Sequence, residues 1–262
     1  MKKSLNLISV RVVQELISPQ DVKKTSERLG ITTNIKPVDA IALGVSEVYP
    51  LNITMSYSAL ANNGILNQPL AINLIRDNND LIIKEFTSES VEVANQKEIF
   101  ILRDMMKSVI DNGTGGSLRW KYKFYAPMAG KTGTTNSKTD AWFIGFTPYI
   151  VIGIWVGMDD PQMKLGEKQY GSNAAMPIFA DAIKEIYNLG NYYHLGKIVK
   201  INLKEDWEIP SGIVEKNICK PHMKTGLGRK NNKELKPYTL NEETAASQKN
   251  TDLHAVYIGD NL

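Results

Sequence analysis

The sequence predicts an α+β fold in which helices flank an antiparallel sheet. Three observations carry the prediction. Apolar residues recur at helical spacing on both sides of residues 128–158, and strand-like runs crowd inside that interval. The last two of these runs are joined at Thr147-Pro148, a turn too short for a helical crossover, so they must pair antiparallel. At 262 residues, with 42% hydrophobic and 23% charged side chains, the chain can bury a sizeable core.

Leu5, Ile8, Val12, Val13 and Leu16 mark a first helix, which Ser18-Pro19 stops. "SPQDVKKTSERLGI" reads as a second, short helix closed by Gly30. "YPLNITMSYSALANNGI" is a third, with Pro50 near its start and Asn62-Asn63-Gly64 ending it in a left-handed turn. "QPLAINLIRDNNDLIIKEF" predicts two short strands joined at Asn78-Asn79. "NQKEIFILRDMMKSVIDNG" is amphipathic, with Ile99, Leu102, Met106 and Val109 or Ile110 on one face.

The strand-like runs are Met128 to Thr135, Ala141 to Thr147 and Tyr149 to Met158, the last apolar and β-branched as a buried strand should be. "NAAMPIFADAIKEIYNLG" closes this part as a helix capped by Gly190. Residues 1–190 are therefore expected to form one domain, with 191–262 a tail of short strands. The polar segment near 229–252 is expected to be disordered.

Bulk properties exclude several function classes. A net charge of +3 is too weak to imply nucleic acid, and no arginine–aromatic track appears. One cysteine, Cys219, rules out an intrachain disulfide and a cysteine-rich zinc site, and no cofactor is expected. "MKKSLNLISVRVVQEL" has two early lysines, but Asn6 and Arg11 interrupt its apolar run. No stretch has the ~18 apolar residues of a membrane span. The chain thus carries no evident export signal or anchor.

Lys131 lies in "PMAGKTGTTNSKTDAWFIGF", where two readings compete. A phosphate loop needs glycine five positions before Gly130, and that position is Tyr125; the lysine is also followed by a strand rather than a helix. Acyl-transfer chemistry fits better. A Lys-Thr-Gly-Thr edge offers a cation and hydroxyls to a substrate carboxylate, and Gly133 allows close backbone approach. Strand alternation places Lys131 and Gly133 on one face and Thr132 and Thr134 on the other, unless local twist turns both sets toward a cleft.

This tripeptide occurs with Ser-x-x-Lys and Ser-x-Asn elements in penicillin-binding proteins, and Ser4-Leu5-Asn6 supplies the latter. "ALGVSEVYPLNITMSYSALANNGI", "VIDNGTGGSLR", "MAGKTGTTNSKTDAWFIGFTPYIVIGIWVGMDDP", "NAAMPIFADAIKEIY", "WEIPSGIVEKNICKPHMKTG" and "LHAVYIGDNL" follow in the family's order. The chain resembles the C-terminal part of the transpeptidase domain of bifunctional (class A) penicillin-binding proteins. The resemblance implies a partial penicillin-binding-protein/β-lactamase-like transpeptidase fold and a serine-type D-Ala-D-Ala transpeptidase or carboxypeptidase of peptidoglycan cross-linking. Its partners would be stem peptides and β-lactams.

By that resemblance Ser4 relays protons and Asn6 holds the substrate amide. Lys131 supplies positive potential opposite Ser4. Thr132, Gly133 and Thr134 bind the substrate end, with the Thr134 N–H forming half of an oxyanion hole.

No lysine of this chain has a serine three residues before it. The nucleophile and its base are therefore expected to be missing and the chain inactive alone, as a truncated fragment. It is otherwise a subunit completed by a separate chain carrying the nucleophile, or a non-catalytic cell-wall peptide-binding module. The resemblance implies that missing N-terminal strands would leave Tyr149 to Met158 as an exposed apolar edge and that the missing helix bearing the nucleophile would leave a hydrophobic groove, so the chain alone should be unstable or oligomeric. Complete family members work at the periplasmic face of the inner membrane; lack of a leader here leaves cytoplasmic retention open.

The remaining polar and aromatic residues take plain readings. His194, His222 and His254 lack ligand spacing and are surface residues, and Cys219 is structural. Trp120, Trp142, Trp155 and Trp207 are packing residues, and Gly113 to Gly116 form a helix-terminating turn that could also shape the cleft.

Overall fold

The computed structural model describes residues 1–135, 138–160, 163–194, 197–219 and 251–257. The chain divides into two compact units, Met1–Glu208 and Ile209–Leu262.

The first unit opens with α1 (Asn6–Glu15) and α2 (Pro19–Arg28). Pro19 both ends one helix and starts the next. Its fixed φ suits a first helical turn, and Ser18 and Asp21 exchange side chain-to-backbone hydrogen bonds of 3.2 and 3.3 Å in a capping box. A 3₁₀ turn at Asp39–Leu43 follows, then α3 (Pro50–Ala61), with its own proline in the first turn.

Short strands β1 (Ile65–Asn67), β2 (Leu74–Arg76), β3 (Ile82–Glu85) and β4 (Ser90–Glu92) come next. β2 and β3 form the expected hairpin, while β1 pairs with β4 around it. Helix α4 (Gln96–Asn112) starts at Asn95, whose side chain accepts the Lys97 N–H at 2.8 Å, and α5 (Ser117–Trp120) is a single turn.

The central sheet contains β5 (Ala129–Thr134), β6 (Asp140–Phe146) and β7 (Val151–Gly157), antiparallel in that order. Helix α6 (Ala175–Leu189) ends at Gly190, whose φ of 68° is the left-handed conformation that glycine tolerates. Hairpin β8 (Asn191–His194) and β9 (Lys197–Lys200) completes the unit.

The sheet's two faces divide the core by simple alternation. Met128, Phe143 and Ile154 face α6, meeting Met176, Phe179 and Ile183. Ala129, Phe146 and Val151 face α3 and α4, meeting Tyr57, Leu60 and Met106. Arg103 on α4 is only 1% exposed, yet it is a cation. Its guanidinium donates to the Leu60 carbonyl at 3.0 Å and to Asn63 Oδ1 at 3.1 Å, and lies 4.5 Å from the Trp207 ring centroid. Burial pulls its pKa down to about 10. The charge is tolerated because it satisfies the carbonyl end of α3.

Among the described residues the outer edge of β7 has no strand partner, while α3 and α6 contact the strand. Trp120 departs from the packing role read from the sequence: it is 68% exposed, because α5 turns Leu118 inward and Trp120, two residues on, falls on the opposite side. Trp207 does pack, donating its indole N–H to the Ala61 carbonyl at 2.8 Å.

The second unit contains β10 (Ile213–Cys219) paired antiparallel with β11 (Thr251–Tyr257). The segment read as disordered lies outside the described residues apart from Thr251 and Asp252, which open β11. His222 lies there too, as do the side chains of His194, His254 and Cys219.

Candidate active-site cleft

The outer edge of β5 is one wall of a cavity of about 420 Å³. Ser4, Asn6, Thr114, Lys131, Thr132, Gly133, Thr134, Tyr170 and Ser172 are among its lining residues, so every site residue read from the sequence reaches one cleft. Alternation does put Lys131 and Gly133 on the opposite face from Thr132 and Thr134. An edge strand has no neighbour to separate its faces, so both sets reach the same cavity.

Strand pairing also fixes the backbone groups. The N–H of Thr135 goes to the Asp140 carbonyl across β6, so alternation leaves the N–H of Thr134 pointing away from β6, along the cleft edge.

Lys131 Nζ donates to Ser4 Oγ across a sequence separation of 127 residues, and to the Thr132 carbonyl at 2.8 Å. Burial lowers its pKa from the ordinary value. Among the lining residues it is the one charged side chain, so it sets a positive potential in a cavity otherwise made of hydroxyls, an amide and apolar groups.

That lowered pKa has a consequence for stability. The unfolded chain holds the Lys131 proton up to 10.5, whereas the folded chain releases it earlier. Between those values the unfolded state binds more protons, so the contribution of this group to stability rises with pH. Urea denaturation of the wild type and Lys131→Met in steps from neutral pH to 10.5 should show the wild type gaining on the variant as pH rises. A constant difference would contradict a desolvated lysine.

Ser4 is held by more than its own segment. Its φ of 49° is left-handed, an uncommon conformation for a serine. The Thr114 N–H donates to the Lys2 carbonyl at 3.3 Å, and a Cβ on Gly113 would lie 2.5 Å from that oxygen. The Gly113–Gly116 turn therefore does shape the cleft: it admits the backbone before Ser4. Thr114 itself bonds Thr132, hydroxyl to hydroxyl, at 2.8 Å. Thr114, Tyr170 and Ser172 line the cleft without a motif that marks them in the sequence; the glycine-rich turn is the one signal that points toward any of them.

Beside β5, on the α3 face, runs a second, apolar cavity of about 380 Å³. Ile31, Ile35, Ile41, Val48, Ile53 and Ile144 line it together with Lys131 and Gly133. The two cavities share Lys131, Thr132 and Gly133, so the strand separates a polar cleft from an apolar groove.

The helix-flanked antiparallel sheet has parallels among solved structures. Penicillin-binding protein 1A from Haemophilus influenzae matches 83% of this chain and 36% of its own at a TM-score of 0.71 and 24% identity. The D,D-transpeptidase domain of a peptidoglycan glycosyltransferase from Eggerthella lenta matches 72% of this chain and 52% of its own, at 0.57 and 19%. These define the class as the D,D-transpeptidase fold. The penicillin-binding protein transpeptidase domain family matches residues 11–184, and the chain belongs to it.

The curated relatives carry the name penicillin-binding protein 1A. That of Aquifex aeolicus is 34% identical over 215 residues, covering 82% of this chain and 27% of the relative. That of Rickettsia typhi is 35% identical over 209 residues, covering 71% and 26%. The chain thus spans about a quarter of the length of these relatives. Among the described residues no helix is long and apolar enough to cross a membrane.

Proposed function

We propose that this chain contributes the carboxylate-side half of a D-Ala-D-Ala transpeptidase cleft used in peptidoglycan cross-linking. The observation that carries the reading is the hydrogen bond from Lys131 to Ser4, made beside two threonine hydroxyls in one cavity. In this reading the stem-peptide carboxylate lies along β5, accepting hydrogen bonds from Thr132 and Thr134 and facing the Lys131 cation. The Thr134 N–H, directed along the cleft edge, serves as one donor to the oxyanion that develops on the attacked carbonyl. Asn6 holds the substrate amide. Ser4 passes a proton toward the leaving amine, and the positive charge of Lys131 favours the ionised side of that transfer.

The serine that attacks the carbonyl is not supplied by a Ser-x-x-Lys motif of this chain. We assign its seat to the apolar groove on the α3 face, which adjoins Lys131 and matches an amphipathic helix in character. β-Lactams and stem peptides are the ligands of the completed cleft.

Fluorescent penicillin tests this directly. The chain alone should give no covalent adduct, and adding a family segment that carries Ser-x-x-Lys should produce one on that segment's serine. An adduct mapped to a serine of this chain, or no adduct with any complementing segment, would overturn the assignment. A cleft that binds stem peptides without ever acylating would instead match a peptide-binding module, which the complete cation-and-hydroxyl edge favours as the second reading.

A further inference from the structure

Resting on that reading of the cleft, we propose that Thr114 and Gly171 are positioning residues of the carboxylate-binding edge. Each controls the direction in which a threonine hydroxyl of β5 offers its proton.

Gly171 is buried in the turn that leads into α6, pressed against the backbone of β5 and β6. A Cβ there would lie 2.3 Å from the Trp142 carbonyl oxygen and 2.6 Å from that of Gly133. Both obstacles are backbone atoms of a paired sheet, which cannot swing aside as a side chain would, so the position demands glycine. This close approach brings the Gly171 N–H to Thr134 Oγ1 at 3.0 Å. On its other side the Gly171 carbonyl accepts the Met176 N–H at 2.9 Å, in the first turn of α6. One residue thus ties the start of a core helix to the substrate-facing strand.

A hydroxyl carries one proton and two lone pairs. The Gly171 N–H occupies a lone pair of Thr134 and offers it no acceptor in return. The Thr134 proton is therefore left for an acceptor in the cleft. Thr132 and Thr114 share a single hydrogen bond between their hydroxyls, and a carboxylate can only accept. With a carboxylate in the cleft the consistent arrangement is Thr114 donating to Thr132 and Thr132 donating onward to the ligand. Bonds aligned in one direction polarise one another. Together with Lys131, the two supports make the edge a row of donors, suited to a C-terminal carboxylate and indifferent to a C-terminal amide.

The test compares an acetylated peptide ending in D-Ala-D-Ala with the same peptide as its C-terminal amide, titrated into the ¹⁵N-labelled chain. The wild type should bind the acid about tenfold or more tightly than the amide, as charge-assisted hydrogen bonds require. Thr114→Val and Gly171→Ala should each shrink that ratio several-fold by weakening the acid alone, and Thr114→Ser should restore it. Equal weakening of acid and amide would show a merely structural role and overturn the proposal. So would an unchanged ratio, which leaves the carboxylate reading itself intact. If Gly171→Ala does not fold, the wild-type Gly171 amide decides: its proton resonance should move with the acid and stay with the amide. A Gly171 signal that ignores the acid overturns its part. Failure of the wild type to bind either peptide overturns the cleft reading and this inference together.

Discussion

Lys131→Ala is expected to lower the affinity of this chain for an acetylated D-Ala-D-Ala peptide by about 10- to 100-fold. A hydrogen bond to a charged group contributes ~1.5–3 kcal/mol, and each ~1.4 kcal/mol is a factor of ten. The loss should fall at the upper end, because Lys131 is the one charged side chain lining the cleft and is partly desolvated. Lys131→Arg should not rescue it fully. The Nζ is held between Ser4 Oγ and the Thr132 carbonyl, a geometry that a planar guanidinium does not reproduce. Isothermal titration at several salt concentrations measures the effect. Unchanged affinity in the alanine variant would remove Lys131 from the carboxylate site and with it the main support for the assignment.

Gly145→Val is expected to abolish cooperative folding of the first unit. A Cβ at this position would lie 2.6 and 2.7 Å from two ring carbons of Phe179 and 2.9 Å from one of Phe143. Those rings are fully buried and meet edge to face, with centroids 4.7 Å apart. Neither ring can withdraw, because Phe143 is held on β6 and Phe179 on α6 at the centre of the same cluster. Inserting extra methylenes into a packed core commonly costs ~1–3 kcal/mol, and valine adds three carbons where even the first does not fit. Thermal melting followed by circular dichroism should show a broad, low-temperature loss of structure. The double variant Gly145→Ala with Phe179→Leu should be less destabilised than the sum of its single changes, since the smaller side chain vacates the space the methyl needs. Strict additivity would mean that the sheet and α6 do not meet as described.

Much of this architecture is legible one element at a time. Pro19 and Pro50 start helices, Gly190 ends one, and of the α4 face read from periodicity Ile99, Met106 and both Val109 and Ile110 are buried while Leu102 is partly so. The short elements are not legible in this way. β1 and β4 have three residues each, too few to show alternation, and they pair across the intervening hairpin. Short strands are expected after Gly190, but the four-residue strands of the β8–β9 hairpin are too short for their bounds to be read from alternation. Trp120 differs for another reason: a large aromatic suggests burial, but the inward position of α5 is taken by the fully buried Leu118, and Trp120, two residues on, lies on the opposite side of the turn.

The site divides along the same line. The motif residues Ser4, Asn6, Lys131, Thr132, Gly133 and Thr134 announce themselves by type and spacing, and so does the lack of a serine three residues before any lysine. Sequence alone therefore determined the family, the strand that carries the Lys-Thr-Gly-Thr motif and the chemistry its side chains can offer. Tertiary structure alone decided that both faces of β5 open on one cleft, because an edge strand lacks the neighbour that would divide them. It also decided that Thr114 and Gly171 support the two threonine hydroxyls. Their roles come from close approach between segments far apart in the chain, where a missing Cβ or one hydroxyl sets a distance, and local pattern carries no record of such distances.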